Sequence, residues 1–377
     1  MRVLHLPTSV GGNSWGLAQG ERALGLNSSV LIAGQNWLNY PADIDLHLEK
    51  IPTLLGKLAR LTVSFWRLWD QYDVLHFNFG HSLLSLPSQW KDRLPSPFRY
   101  ADLMDLPLYP RRVKLFVTYQ GCDARQKYPT MKRTKIAPCH DPNCYGGLCN
   151  SGRLDDYRRH GISKMARYVE HMWALNPDLL NFLPPEKSSF IPYTISSWSD
   201  LPVRPPQLGH ELRIVHAPTN REAKGSDRIL ASLKTIEKAH PGVIEVQLVE
   251  NVSHEQALRA LCEADLVVDQ ILVGWYGGVA VEAMKMAKPV IARIAAEDLH
   301  FIPQQMAEDV QQTIIQADPD TIYEVLLRCI GDRDFLRRRA AASLEYVHRW
   351  HDPLKVATQV KQAYEVAMAR KKEGESA

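Results

Sequence analysis

Gly277 and Gly278 stand about one helical turn ahead of Glu282. Two adjacent glycines let a backbone come close to a ligand, and they point the unpaired N–H groups of a helix start outward. That end carries partial positive charge and suits a phosphate. Glu282, one turn inside, can accept both hydroxyls of a ribose. Phosphate at the tip and ribose one turn along describe a nucleotide seat. The same residues also fit an ordinary crossover with a tight turn and a surface glutamate. Arg221 and Lys224, in the loop Pro218–Gly225, would grip a diphosphate if the fold brings them to that tip. Otherwise they are solvated charges in a turn.

Hydrophobic period outlines the elements that must position these residues. Leu266–Val268 is an apolar β-branched run, long enough for a buried strand and too short for a helix. After the turn Asp269–Gly278, Val279, Ala280, Ala283, Met284 and Met286 recur at helical spacing. Pro289 stops that helix before a strand at Pro289–Ala292. Strand, turn, helix, strand is one right-handed crossover of a parallel sheet, and such sheets bind ligands at the carboxyl ends of their strands. Leu212–Ala217 reads as another strand whose carboxyl end carries Arg221 and Lys224. Glu245–Val249 is a third, and Ser253 with Gln256 has capping-box spacing for the next helix. Beyond Ala292 the chain turns helical, over Pro319–Cys329, Asp332–Trp350 and Leu354–Lys372.

The first half repeats the theme with other side chains. Strand Arg2–Leu6 leads through the loop Pro7–Asn13, with Gly11, Gly12 and Asn13, into a helix at Ser14–Leu24. A phosphate or a sugar can rest on that loop, and a plain turn fits it as well. It lacks the spacing of the dinucleotide fingerprint and an acidic residue placed for a ribose. Strands at Val74–Phe77 and Lys114–Tyr119 end in His76, Asn78 and His81, and in Gln120, Gly121, Cys122, Asp123 and Arg125. Together these make an acceptor-side wall, although a lone strand-end histidine is more often structural. Leu54, Leu55, Leu58, Leu61, Phe65 and Leu68 trace a helical stripe beside Lys57, Arg60 and Arg67, with Trp66 and Trp69 at its end. Such a stripe packs on a sheet more often than it lies in a membrane surface.

Cys139, Cys144 and Cys149 follow at equal four-residue gaps, with Cys122 upstream and His140 as a spare ligand. Four thiols among turn-forming neighbours can wrap a structural Zn²⁺, though the gaps exceed the usual knuckle. Unligated or disulfide-linked cysteines are the other reading. Ser163–Glu170 reads as a helix, His171–Leu175 and Ser189–Ile191 as strands, and Asn176 as the cap of a short helix Pro177–Phe182. Tyr193–His210, with Pro202, Pro205 and Pro206, changes composition and reads as a linker.

A chain of 377 residues is too long for one comfortable core, so two domains are expected. A net charge of +3 gives no broad case for nucleic-acid binding. No apolar run approaches the length of a membrane span, and Met1 runs straight into a strand with no apolar leader. With six cysteines and no secretion signal, the expected setting is the reducing cytoplasm.

Two stretches, HAPTNREAKGSDRIL at His216–Leu230 and ADLVVDQILVGWYGGVAVEAMKMAKPVIA at Ala264–Ala292, resemble the GT-B glycosyltransferases of the retaining, family-4-like kind. YQGCDAR at Tyr119–Arg125, NPDLLNFLP at Asn176–Pro184 and the opening strand with Gly11-Gly12 add to the resemblance. It implies an α/β fold of two Rossmann-like domains facing across a cleft, with the C-terminal helix crossing back. The expected bounds are 1–195 for an acceptor-side domain with a Cys-rich insertion at about 122–152, 211–352 for a nucleotide-sugar domain, and 353–377 for the crossing helix and a disordered tail.

By position, Arg221 and Lys224 resemble the basic pair on the donor diphosphate. Gly277, Gly278 and Val279 resemble the backbone that meets the phosphates, and Glu282 the carboxylate on the ribose. The family's paired-glutamate motif places another Glu eight residues before this one, where the chain has Gly274, and Asp269 is the nearest replacement. Gln120 stands where the family often has a strand-end histidine. The implied reaction moves a sugar from a UDP- or GDP-sugar to a glycan or lipid-linked acceptor, with retention. It needs no catalytic metal, consistent with the lack of a convincing D-x-D carboxylate pair. Rival readings are a nucleotide-sugar epimerase and a catalytically silent sugar-binding subunit. Peripheral contact with the inner membrane face is the expected partner surface; nucleic acid is not.

Overall fold

Runs of buried β-branched and aromatic residues alternate with amphipathic helices along the chain, the pattern of parallel sheets covered on both faces. The computed structural model describes residues 1–85 and 102–374. The chain divides into two compact units: residues 1–126, 151–196 and 353–377 form the first, and residues 127–150 and 197–352 the second. The last residues of the expected tail, 375–377, lie outside the described residues.

The first unit is built on seven parallel strands: β1 Arg2–Leu6, β2 Asn27–Ile32, β3 Ile44–Asp45, β4 Val74–Asn78, β5 Lys114–Tyr119, β6 His171–Ala174 and β7 Ser188–Phe190. Their order is β3-β2-β1-β4-β5-β6-β7, so the winding reverses between β1 and β4. One face carries Leu4, Leu6, Leu75, Phe77 and Val117. The other carries Val3, Val74, Phe116 and Trp173, and the final helix Pro353–Gly374 covers it through Val356, Val360 and Tyr364. That helix returns to the first unit, as the resemblance implied, and lies along the helix Asn13–Ala23. Gly20 permits the approach, because a Cβ there would overlap the Pro353 carbonyl.

The second unit holds β8 Leu212–His216, β9 Ile244–Leu248, β10 Leu266–Gln270, β11 Val290–Ala292 and β12 Ile315–Gln316, in the order β12-β11-β10-β8-β9. Its reversal lies between β8 and β10, which pair in parallel from Leu266↔Ile214 to Val268↔His216. The loops leaving these two strands therefore diverge above a crevice, where doubly wound sheets receive ligands. Ser253 and Gln256 form the expected capping box on the helix His254–Glu263.

Three features differ from the sequence reading. The helix expected at Ser163–Glu170 begins ten residues earlier and runs Arg153–Ala166, because its polar first turns hide the period. Asn176 does not cap its neighbours; its side-chain amide donates to the Gln120 carbonyl at 3.0 Å. Most of the Cys-rich stretch, residues 127–150, groups with the second unit, whereas the sequence suggested an insertion in the first. There its helix Lys127–Arg133 is tied down by an Arg133–Asp298 ion pair at 2.7 Å.

The helix Leu54–Leu68 packs by its later turns alone. Phe65 is buried, and Leu61 and Leu68 lean on the core. Leu55 and Trp66 remain 79% and 64% exposed, and Leu54, Leu58 and Val63 are also exposed.

Candidate functional site

The turn between β10 and the helix Gly278–Lys285 is held rigidly by aromatic anchors. Trp275 and Tyr276 stack with centroids 4.6 Å apart, and both are buried. The Tyr276 hydroxyl meets that of Tyr346 at 2.7 Å and His351 Nε2 at 2.8 Å. Gln270 clamps the turn from inside by donating to the Trp275 carbonyl. Gly277 and the first residues of the helix emerge partly exposed, so the helix mouth is open.

The neighbouring loop after β8 forms a single helical turn, Arg221–Lys224, because Asn220 caps it and Gly225 ends it at φ +79°. Gly225 sits against Ile271, and the Ile271 N–H donates to the Lys224 carbonyl at 3.1 Å. The two loops are thus locked together at the reversal point. Lys224 Nζ donates to Asp269 Oδ1 at 2.6 Å, while the Gly277 N–H donates to Asp269 Oδ2 at 2.6 Å. A carboxylate held between an ammonium and a helix N-terminus shows what this mouth accepts: an oxyanion. Asp269, at 2% exposure, is the anion that both donors meet. Position 274 lies elsewhere, its Cβ site facing Ala295 and the Arg293 guanidinium.

Arg221 does not join Lys224. Its guanidinium forks onto Glu250 at 2.7 and 2.6 Å, beyond the end of β9. Glu250 is held below the usual carboxylate range by this hydrogen bond. Glu282, buried inside the helix, meets His254 Nε2 at 2.6 Å. Burial works against a charged His254, but its hydrogen bond to Glu282 and that group's charge prevail and raise its pKa. Sequence reasoning missed His254. The available signal was its place just past the carboxyl end of a parallel strand, inside a capping box.

His216, at the end of β8, is a strut: its ring meets the Val268 carbonyl and the Ser226 hydroxyl, each at 2.7 Å. Burial pushes its pKa down to about 4.

In the first unit the expected acceptor-side residues scatter. His76 is a core histidine, not a wall residue: it is fully buried mid-strand, with Nδ1 on the Tyr364 hydroxyl at 2.6 Å and Nε2 on Thr118 at 2.7 Å. Burial and the nearby charge of His5 hold it well below its ordinary pKa. Arg125 is likewise inside, forked onto buried Asp178 at 2.6 and 3.0 Å. Asp123 spends its carboxylate on the Gln120 and Gly121 N–H groups, closing its own loop. Asn13 is buried and accepts from the Thr194 N–H at 3.0 Å. Gly11 and Gly12, at φ +63° and +72°, make room for this chain's own Tyr193 and Ser196. Gln120 differs from these: both polar atoms of its carboxamide are shielded from solvent and have no hydrogen-bond partner among the described residues.

Among the described residues, the groups of three or more potential ligands that come together are His5, Glu21 and His76, and Asp45, His47 and Glu49. Cys122, Cys139, Cys144 and Cys149 are all reduced and partly buried. Separate 3₁₀ turns carry Cys139 and Cys144, and the spare ligand His140 sits on the Thr134 carbonyl at 2.9 Å.

No protein-family model matches the chain, and neither does any curated protein. Solved structures do match along nearly its whole length. A sucrose-phosphate synthase from Thermosynechococcus elongatus is 14% identical with a TM-score of 0.59, covering 98% of this chain and 100% of its own. HepE from Anabaena, solved in complex with UDP-glucose, is 13% identical with a TM-score of 0.59, over 97% and 100%. A Listeria monocytogenes protein described as a UDP-N-acetylglucosamine 2-epimerase is 12% identical with a TM-score of 0.51, over 96% and 94%. At these identities the likeness establishes the fold. The chain has the GT-B fold, as its two parallel α/β sheets and returning helix require.

Proposed function

We propose that this chain is a nucleotide-sugar-dependent glycosyltransferase, moving a sugar from a UDP- or GDP-sugar to a glycan or lipid-linked acceptor with retention. The observation that carries the proposal is the mouth itself: the Gly277 N–H and Lys224 converge on one oxyanion at the fold's ligand-binding reversal point. In the reaction, donor diphosphate oxygens take the place of Asp269 at that mouth. Gly278 and Val279 add helix-start backbone, and Glu282 receives the ribose once its bond with His254 opens. As the glycosidic bond breaks, the diphosphate gains negative charge, which Lys224 and the helix start stabilise in place, without a catalytic metal. Gln120, with its unspent carboxamide, is the acceptor-side residue this reading retains.

A lipid-linked acceptor is favoured by the helix Leu54–Leu68. It has no acidic residue, exposes Leu55, Leu58, Val63 and Trp66, and carries exposed Arg60 and Arg67 alongside. That pairing suits an anionic lipid surface. Among the described residues, no helix is long and apolar enough to cross a membrane.

The test is a panel of UDP- and GDP-sugars scored for thermal stabilisation and for release of the free nucleoside diphosphate, with and without EDTA. Stabilisation with EDTA-insensitive release is the expected result. Stabilisation without release supports the second reading, a silent binding subunit, for which Gly274 and the diversion of Arg221 to Glu250 speak. No stabilisation by any donor overturns both.

A further inference from the structure

The mouth is filled at rest, and by the protein itself. The Asp269 side chain is 1% exposed, and each of its oxygens takes one donor. Oδ1 accepts from the Lys224 ammonium and Oδ2 from the Gly277 N–H, both at 2.6 Å. Contacts this short to a carboxylate are charge-assisted and strong. A diphosphate that uses the same ammonium and the same N–H therefore binds in exchange for Asp269.

The exchanged carboxylate has no second cation to turn to. It ends β10, an interior strand between β8 and β11 that is buried along its length. Arg221, on the neighbouring loop, is forked onto Glu250. His254 is bonded to Glu282 at 2.6 Å. His216, on β8, lies close enough for the charges of Lys224 and Asp269 to act on it. Its ring is spent on the Val268 carbonyl and the Ser226 hydroxyl, and burial holds its pKa near 4, so it brings no positive charge at neutral pH. A buried carboxylate stripped of both donors and set beside a diphosphate is the like-charge case in which one group gives up its charge.

We infer that Asp269 is a built-in competitor for the oxyanion mouth, and that a nucleoside diphosphate displaces it as the carboxylate takes one proton from solvent. The inference rests on the nucleotide-sugar reading above and adds the regulation of that site. The balance is one proton: the carboxylate becomes a carboxylic acid as the diphosphate enters, and returns the proton to solvent as the diphosphate leaves. Because the bound state holds one proton more than the resting state, affinity rises as pH falls, by about tenfold per pH unit. Acid opens the mouth, and alkali returns Asp269 to it.

Calorimetric titration of the whole protein with UDP, GDP and inorganic pyrophosphate, in two buffers of different ionisation enthalpy and across a range of pH, tests this on the wild type and on Asp269→Asn. The wild type should take up about one proton more per diphosphate bound than the variant does, a difference that cancels the ligand's own titration. Asp269→Asn should bind the diphosphate about tenfold tighter at neutral pH, because a neutral amide competes less well than a carboxylate for the same two donors. It should also lose the part of the pH dependence that the wild type owes to Asp269. If Asp269→Asn does not fold, Asp269→Ser takes its place. Equal proton uptake by wild type and variant overturns the inference and leaves the transferase reading standing. So does a variant that binds the diphosphate no tighter than the wild type, for Asp269 then organises the mouth instead of filling it. No binding of UDP, GDP or pyrophosphate to either protein overturns both.

Discussion

Replacing Lys224 by methionine removes one of the two cationic features at the mouth while keeping most of the side-chain volume. The ammonium is bonded to Asp269 at 2.6 Å, with side-chain exposures of 13% and 1%. Leaving such a carboxylate uncompensated costs about 3–5 kcal/mol in comparable buried pairs. Here Asp269 keeps the Gly277 N–H and the helix start, a charge-assisted contact that offsets roughly 1.5–3 kcal/mol. The expected destabilisation is therefore about 2 kcal/mol, read from urea unfolding. Adding Asp269→Asn removes the stranded charge and should bring stability back to within about 1 kcal/mol of wild type. Function should not follow stability. Both the single and the double variant should lose about 10²-fold in turnover of the nucleotide-sugar, because the developing diphosphate charge has lost its cation. Arg221→Ala, whose partner is Glu250, should cost less than about tenfold. A double variant that regains stability and also turns over at the wild-type rate would show Lys224 to be a partner of Asp269 only, and the site assignment would fall.

Two further outcomes follow from the same geometry. His216 titrates at about 4 in the fold and near 6.5 when unfolded, so below pH 6.5 the unfolded chain takes up a proton that the folded one refuses. Stability should fall by about 2 kcal/mol between pH 7 and pH 5 from this group, with His76 adding in the same direction and His254, raised by Glu282, opposing it. Unchanged urea midpoints across that range, or a His216 ring signal titrating near neutrality, would contradict the strut role. The protein should float with vesicles containing anionic lipid and stay behind with neutral ones, and Leu55→Ser with Trp66→Ser should abolish flotation without moving the unfolding midpoint. Flotation equal in wild type and double variant would rule out the helix Leu54–Leu68 as the contact.

Local pattern was enough to read strands such as Arg2–Leu6 and Pro289–Ala292, because an apolar, β-branched run bounded by turn residues and too short for a helix favours a strand. It was enough, too, for the glycine turn at Gly277 and the capping box at Ser253, where backbone chemistry dictates residue type. The short edge strands β3 and β12 went unread, since two residues carry no period. What a side chain faces was another matter. His76 and Arg125 look alike in sequence to site residues, yet a hydrogen bond with Tyr364 and an ion pair with Asp178 hold both inside. Arg221 and Lys224 sit on one turn, and only the ends of β9 and β10 decide that one meets Glu250 and the other Asp269. The order of β8 beside β10 sets the mouth, where Lys224 and the Gly277 N–H meet on Asp269. Propensity acts within a few residues along the chain, whereas hydrogen bonds and charges pair across whatever distance the folded backbone closes.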